Sequence, residues 1–332
     1  MPTLYLTEQG ATLSKDHNRL VVEMGSTVIT EIHEFKVERV VIFGHIQLTT
    51  QVIAYLLNRG IDTAFLTMQG KLKGRLAPIA TKNVPLRVRQ YDFARDSSFP
   101  LTIAKAMVIG KLANSASVLA RFQRNHPEYN FSDPISNLVA LRSDAYRKQT
   151  MDSLRGVEGH GAALYFQCFS KMLLGELQFN KRTRQPPTDP VNAMLSFGYT
   201  LLYNEAISAL VSIGFDPYIG FYHGINYGRC SLALDLIEEF RHLVIDRLII
   251  NLVNHKVLVA NDFTAMPDGA VYLEGEARKK FLKEYEKFVT TEFAHRRTAE
   301  KTSFRRALHD QALELQRTLM RSQPYMPFEG WH

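Results

Sequence analysis

Cysteine is nearly absent from this chain of 332 residues, which carries only Cys168 and Cys230. Neither belongs to a CxxC pair, which argues against a disulfide framework and against a cysteine-based zinc site. Long apolar runs are missing as well. Stretches such as Leu248 to Val253 fall far short of the roughly 20 residues that a bilayer-crossing helix needs. No basic-then-apolar leader opens the chain, because Glu8, Lys15 and Asp16 interrupt it early. The expected setting is the reducing cytoplasm, with no membrane partner. A GxxxxGK[ST] phosphate loop and a GxGxxG turn between strand and helix are also lacking, which disfavours nucleotide-fuelled and dinucleotide chemistry. Neither HExxH nor GxSxG occurs, and no internal repeat or long low-complexity stretch is found.

What is present begins with enough apolar sequence, 45%, to bury a substantial core. The formal charge is +7 and its excess is clustered. Lys71, Lys73, Arg75, Lys82, Arg87 and Arg89 fall in one stretch without Asp or Glu. Arg278, Lys279, Lys280, Arg296, Arg297, Lys301, Arg305 and Arg306 form a second concentration. Clustered cations suit a polyanion, since each neutralised phosphate releases condensed counterions. A solvated surface would look the same by charge alone.

The pattern changes once along the chain. Thr3 to Leu6, Arg19 to Glu23, Thr27 to Ile32 and Arg39 to Phe43 read as short β-branched strands, with turns at 16–18 and 23–26. One helix is expected after Thr49 or Thr50, with Val52, Ile53, Leu56 and Leu57 as its apolar stripe and Gly60 as its end. Ile61 to Thr67 returns as a strand and Gln69-Gly70 offers a hairpin turn. From Leu101 onward the period is helical. Asp189-Pro190 marks a helix start and Gly214 its end, Leu234 to Asn251 reads as one amphipathic helix, and Lys279 to Thr291 as a charged one. The expected fold class is α+β, a small β-rich domain over 1–82 followed by an all-helical domain over 83–332, and not a doubly wound sheet.

Three segments carry candidate chemistry. Glu158 lies among Gly156, Gly159 and Gly161 in a helical stretch, where each glycine costs up to about 1 kcal/mol relative to alanine. Such clustering implies a close approach of another backbone or of a substrate, or else a kinked helix with a solvent-facing acid. His223 sits between Tyr222 and Gly224 in an irregular stretch, as a ligand, a general base or an ordinary loop histidine. Asp235 and Glu238, three residues apart, share a helix face and repel unless a cation lies near, either a metal or Arg241. Together Glu158, His223, Asp235 and Glu238 offer carboxylate oxygens and an imidazole, a donor set that suits Mg2+ or Mn2+. Among the other histidines, His242 has a better claim to a supporting place than His160 or His255, because it lies four residues past Glu238.

At these segments the chain resembles the CRISPR-associated integrase and endonuclease of the spacer-acquisition (adaptation) machinery, the first-numbered family of its series. Matching stretches include Gln90-Tyr91, Lys111-Leu112-Ala113-Asn114, Arg155-Gly156-Val157-Glu158-Gly159, the run from Asp189 to Tyr199, and the run from Asp235 to Arg241. They occur in order over nearly the whole chain. The resemblance implies a β-sandwich-like N-terminal domain that forms homodimers and a helical catalytic domain. It implies a metal held by Glu158, His223 and Glu238, with Asp235 as a supporting acid. It further implies double-stranded DNA as substrate and a small second adaptation protein as partner. Where the family pattern DLxEpFR favours proline this chain has Glu239, a change not expected to threaten activity. The implied reaction is transesterification, the 3′-hydroxyl of a captured fragment attacking a phosphate at the repeat edge. A stand-alone nuclease and a DNA-binding scaffold are the competing readings.

Overall fold

The computed structural model describes residues 3–77 and 83–330, so Lys82 of the first basic stretch and the expected boundary at 82 lie outside the described residues. The chain divides into two compact units, 1–81 and 82–332.

The first unit holds eight strands, one α-helix and a 3-10 turn (Glu34–Lys36) among its described residues: β1 (Thr3–Leu6), β2 (Thr12–Asp16), β3 (Arg19–Met24), β4 (Thr27–His33), β5 (Arg39–Phe43), β6 (Gln47–Leu48), α1 (Thr50–Arg59), β7 (Asp62–Leu66) and β8 (Leu72–Leu76). One sheet runs β1-β5-β7-β8 and the other β4-β3-β2-β6. Leu4, Leu6, Leu13, Leu20, Val22, Val40 and Ile42 from both sheets share one core with Val52 and Leu56 of α1. The central strand β5 pairs in parallel on both sides and is apolar at four successive positions, as a strand covered on both faces requires. The Thr49 hydroxyl accepts from the amide of Val52 at 3.3 Å, and Gly60 ends α1 at φ 63°. Strand β2 has no counterpart in the sequence reading, because Leu13 is the lone large apolar residue in Thr12–Asp16.

The second unit contains α2 (Val84–Arg95), α3 (Phe99–Asn125), α4 (Ser132–Arg147), α5 (Met151–Met172), α6 (Pro190–Ile213), α7 (Ser231–Ile237), a π-helical segment (His242–Asp246), α8 (Arg247–Asn254), β9 (Phe263–Ala265), β10 (Val271–Leu273), α9 (Gly275–Thr290), β11 (Glu292–Ala294), β12 (Lys301–Ser303) and α10 (Phe304–Arg321). Two expectations need correction. The unit is not all helical, since β9 pairs with β10 and β11 with β12 in two small hairpins too short to show a period. The continuous helix expected over 234–251 is broken after Ile237 and re-enters through the π-helical segment. The run is polar as well as buried: Asp235, Glu238, Glu239, His242 and Asp246 all lie inside it, each with a polar partner.

Helix α3 is long and apolar enough to cross a membrane by length and composition, but 72% of its most apolar window is buried inside the protein. The glycines of α5 divide by face. A side chain at Gly161 would run into Leu112 of α3, whereas Gly156 and Gly159 meet nothing and leave the helix surface bare beside Glu158.

The second basic cluster is only partly a free surface. Arg278 is buried and donates to the carbonyl of Leu273 at 3.2 Å. Lys279 pairs with Glu276, Lys280 with Asp262 and Arg296 with Glu329. Arg305, also buried, pairs with Glu205 and Glu286, each at 2.7 Å. Arg305→Ala would strand the buried carboxylate of Glu205, so a loss of about 3–5 kcal/mol is expected, measurable by urea unfolding. Arg297 and Lys301 remain exposed.

Candidate active site

Four elements converge in the helical unit. Helix α3 supplies Lys111, α5 supplies Glu158, the loop between α6 and α7 supplies His223, and α7 with the turn that follows it supplies Asp235, Glu238 and Arg241. The Lys111 ammonium lies 2.6 Å from Glu238 Oε2 and also pairs with Glu158 Oε1. Arg241 reaches Glu238 Oε1 at 3.1 Å, and the imidazole Nε2 of His223 stands 3.9 Å from the same oxygen. Glu158, His223 and Glu238 are thus brought to one place, with Lys111 between the two carboxylates.

Asp235 is fully buried and has another task. Its Oδ2 accepts from the amides of Phe221 at 2.6 Å and Tyr222 at 2.9 Å. Its Oδ1 accepts from the amide of His223 and meets His223 Nδ1, both at 2.7 Å. A carboxylate only accepts, so Nδ1 carries a proton and the ring is turned with Nε2 toward Glu238. Gly220 makes this wrap possible, since a Cβ there would sit 2.8 Å from Asp235 Oδ2 and 2.8 Å from the backbone of Ser231. Arg229 and Ser231 close the loop by donating to the carbonyl of Gly224 at 2.7 and 2.9 Å.

Charge holds Glu238 and Lys111 ionised. Burial would push the Glu238 carboxyl up, but Arg241, Lys111 and His223 outweigh it and hold it at about 2. Burial would push the Lys111 amine down, yet Glu238 and then Glu158 raise it instead, so the ammonium persists. Behind Arg241 lies a second layer. Its guanidinium sits 5.1 Å over the Tyr199 ring, Tyr199 donates to Asp246 at 2.6 Å, and Asp246 meets His242 Nδ1 at 2.7 Å. His242 therefore supports the site through Asp246, Tyr199 and Arg241. His160 is exposed and His255 approaches the carbonyl of Asn251.

The donor set fits a hard divalent cation. It combines two carboxylates with an imidazole whose far nitrogen is anchored by an acid, the arrangement that orients metal-bound histidines. Glu238 Oε2 is buried and receives no well-aimed hydrogen bond, although the Lys111 ammonium is close. Among the described residues no three acidic, imidazole or thiol groups are already close enough to enclose one ion, so the three side chains would have to draw in around it.

Lys111 is the participant that sequence reasoning passed over. Its signal was visible: it is the lone charged residue between Lys105 and Arg121 in a helix that is otherwise core. Glu239, at the position where the family pattern favours proline, is not idle either. It is fully buried, accepts from the Tyr325 hydroxyl at 2.7 Å and the Phe328 amide at 2.5 Å, and burial pushes its carboxyl up to about 8.

A two-unit α+β chain whose helical unit gathers paired glutamates, a lysine, an arginine and an acid-anchored histidine has the build of an enzyme that handles a polyanion. The family model described as CRISPR associated protein Cas1 matches residues 4–287. A "CRISPR-associated endonuclease Cas1 3" from Thermus thermophilus is 34% identical over 98% of this chain and 96% of its own length. The chain belongs to the Cas1 family. Among solved structures, a Cas1 protein from Thermotoga maritima covers 99% of this chain and 100% of its own, at TM-score 0.81 and 26% identity. A chain of a Cas6-RT-Cas1–Cas2 complex covers all of this chain, which matches 36% of that longer one, at TM-score 0.82 and 25% identity.

Proposed function

We propose that this chain is a metal-dependent DNA integrase and endonuclease of CRISPR adaptation, joining the 3′-hydroxyl ends of captured DNA into the repeat by transesterification. The observation that carries the reading is the meeting of Glu158 and Glu238 on one cationic point, with Nε2 of His223 3.9 Å from Glu238. Glu158, His223 and Glu238 would hold Mg2+ or Mn2+. Such an ion, when bound, supplies Lewis-acid stabilisation of the attacking and leaving oxygens. Asp235 fixes the ring orientation of His223. Lys111 and Arg241 offset the negative charge that phosphate brings to a site already holding two carboxylates. The exposed surface beside Gly156 and Gly159 leaves room for a DNA backbone to come near Glu158.

In the reaction the 3′-hydroxyl of the incoming strand loses its proton and its oxygen bonds to phosphorus, while the 3′-oxygen already on that phosphate leaves and takes up a proton. With water in place of the incoming hydroxyl the same site cleaves. Double-stranded DNA is the substrate, and Arg297 and Lys301 are among the exposed cations available to its phosphates. A small second adaptation protein is the proposed partner, as the related chain solved in a complex with Cas2 supports. A homodimer through the first unit is proposed because Met24, Val28 and Ile29 leave apolar surface exposed at its edge strand and the adjoining turn.

The test is incubation with Mn2+ or Mg2+, a fragment bearing 3′-hydroxyls and repeat DNA. Joined strands are expected, and their loss on chelation. Glu158→Ala should remove joining by about 10²-fold or more while salt-sensitive DNA binding persists. Cleavage without joining would favour a stand-alone nuclease, and processing unchanged by Glu158→Ala would favour a scaffold.

A further inference from the structure

The C-terminal segment after α10 has no regular structure, yet three of its residues, Tyr325, Phe328 and Gly330, are buried. Tyr325 is 7% exposed and Phe328 2%. Phe328 stacks on Phe240 with ring centres 4.6 Å apart, and Gln311 of α10 donates to the carbonyl of Met326 at 2.8 Å. Pro327 lies against Gly110 of α3, where an added Cβ would come within 2.7 Å of the proline ring. Glu329 pairs with Arg142 at 2.8 Å and Arg296 at 2.5 Å.

Two side chains knit this segment to the site-bearing elements. Asn114 of α3 is buried, and its amide donates to the carbonyls of Glu239 at 2.7 Å and Phe328 at 2.8 Å. Its oxygen accepts from the amide of Gly330 at 2.8 Å. Glu239 accepts from Tyr325 and Phe328, as described above. The contact points bracket the chemistry. Gly110 and Asn114 flank Lys111 on one helix, and Glu239 and Phe240 directly follow Glu238. The break in the helix after Ile237 takes the Glu239 carbonyl out of the regular ladder, and Asn114 supplies its donor.

We propose that residues 325–330, held by Asn114 and Glu239, form a strap that fixes Glu238 against Lys111, making Asn114 and Glu239 positioning residues for the reaction. The consequence for rate rests on the function proposed above; the placement does not. Supporting residues of this kind typically alter metal affinity or rate about 10–100-fold.

The full-length protein serves for the test. Glu239→Ala should lower kcat for strand joining about 10–100-fold with KM for DNA unchanged, and Glu239→Gln, which keeps an acceptor for the Phe328 amide, should restore most of it. Hydrogen exchange at the amides of 238–242 gives a readout independent of catalysis and should quicken in Glu239→Ala and recover in Glu239→Gln. If Glu239→Ala does not fold, Tyr325→Phe, which deletes a single hydroxyl, should still quicken exchange at 238–242. Exchange unchanged at those amides overturns the strap, whatever the rate does. A wild type that joins nothing, yet shows the variant-dependent exchange, overturns the assigned chemistry and upholds the strap.

Discussion

Glu238→Ala is expected to reduce strand joining by at least about 10³-fold, because it removes a proposed metal ligand and several kcal/mol of charge stabilisation with it. The same change has a structural cost. Lys111 and Arg241 are drawn into a largely buried place by this carboxylate, and Lys111 would keep only Glu158 as an ion-pair partner named at the site. A stability loss on the order of 3–5 kcal/mol follows from leaving a buried charge unpaired. Glu238→Gln separates the two effects. It keeps the shape and one acceptor oxygen for Arg241 but removes the charge, so folding should survive better than activity. Thermal melting beside the joining assay reads both. An alanine variant that melts earlier while joining at the wild-type rate would deny Glu238 its role.

The second large effect belongs to Asp235, whose carboxylate is taken up by the 221–223 loop. Asp235→Ala removes four hydrogen bonds at once, leaving the amides of Phe221, Tyr222 and His223 without their acceptor. Each buried donor so stranded costs about 1–3 kcal/mol, which puts the loss at several kcal/mol. The loop would also lose its hold on His223, and a drop in rate of about 10–100-fold beyond the loss of folded protein is expected. Asp235→Asn should fall between the two, because its amide turns a donor toward groups that themselves donate. Calorimetric unfolding and exchange at 221–223 report the loop directly. Wild-type protection of those amides in Asp235→Ala would show that the acid does not organise it.

Much of this was legible in the sequence. The β-rich start, the caps of α1 at Thr49 and Gly60, and the Asp189–Pro190 start of α6 rest on local rules that tertiary packing did not override. Glu158, His223 and Glu238, which the structure brings near one another, were singled out through the family resemblance and through the glycines around two of them. What stayed hidden depends on burial. Asp235 and Glu238 share a helix face in sequence terms, yet one turns to the loop amides and the other to Lys111. A pattern of apolar periods cannot show that, nor the break after Ile237, since nearly every residue there is buried. Lys111 and Asn114 looked like interruptions of an apolar helix, and their partners lie 47 and 125 or more positions away. The cations over 278–306 looked uniform, but Arg278 and Arg305 face inward, a distinction that charge counting does not make.

The most direct measurement is pulsed electron paramagnetic resonance of Mn2+ added to the protein with its imidazoles labelled with nitrogen-15. One ion per chain is expected, with hyperfine coupling to a single histidine that vanishes in His223→Ala, and with binding weakened in both Glu158→Ala and Glu238→Ala. Manganese that shows no imidazole coupling, or binds equally well to all three variants, would contradict a metal centre shared by these side chains.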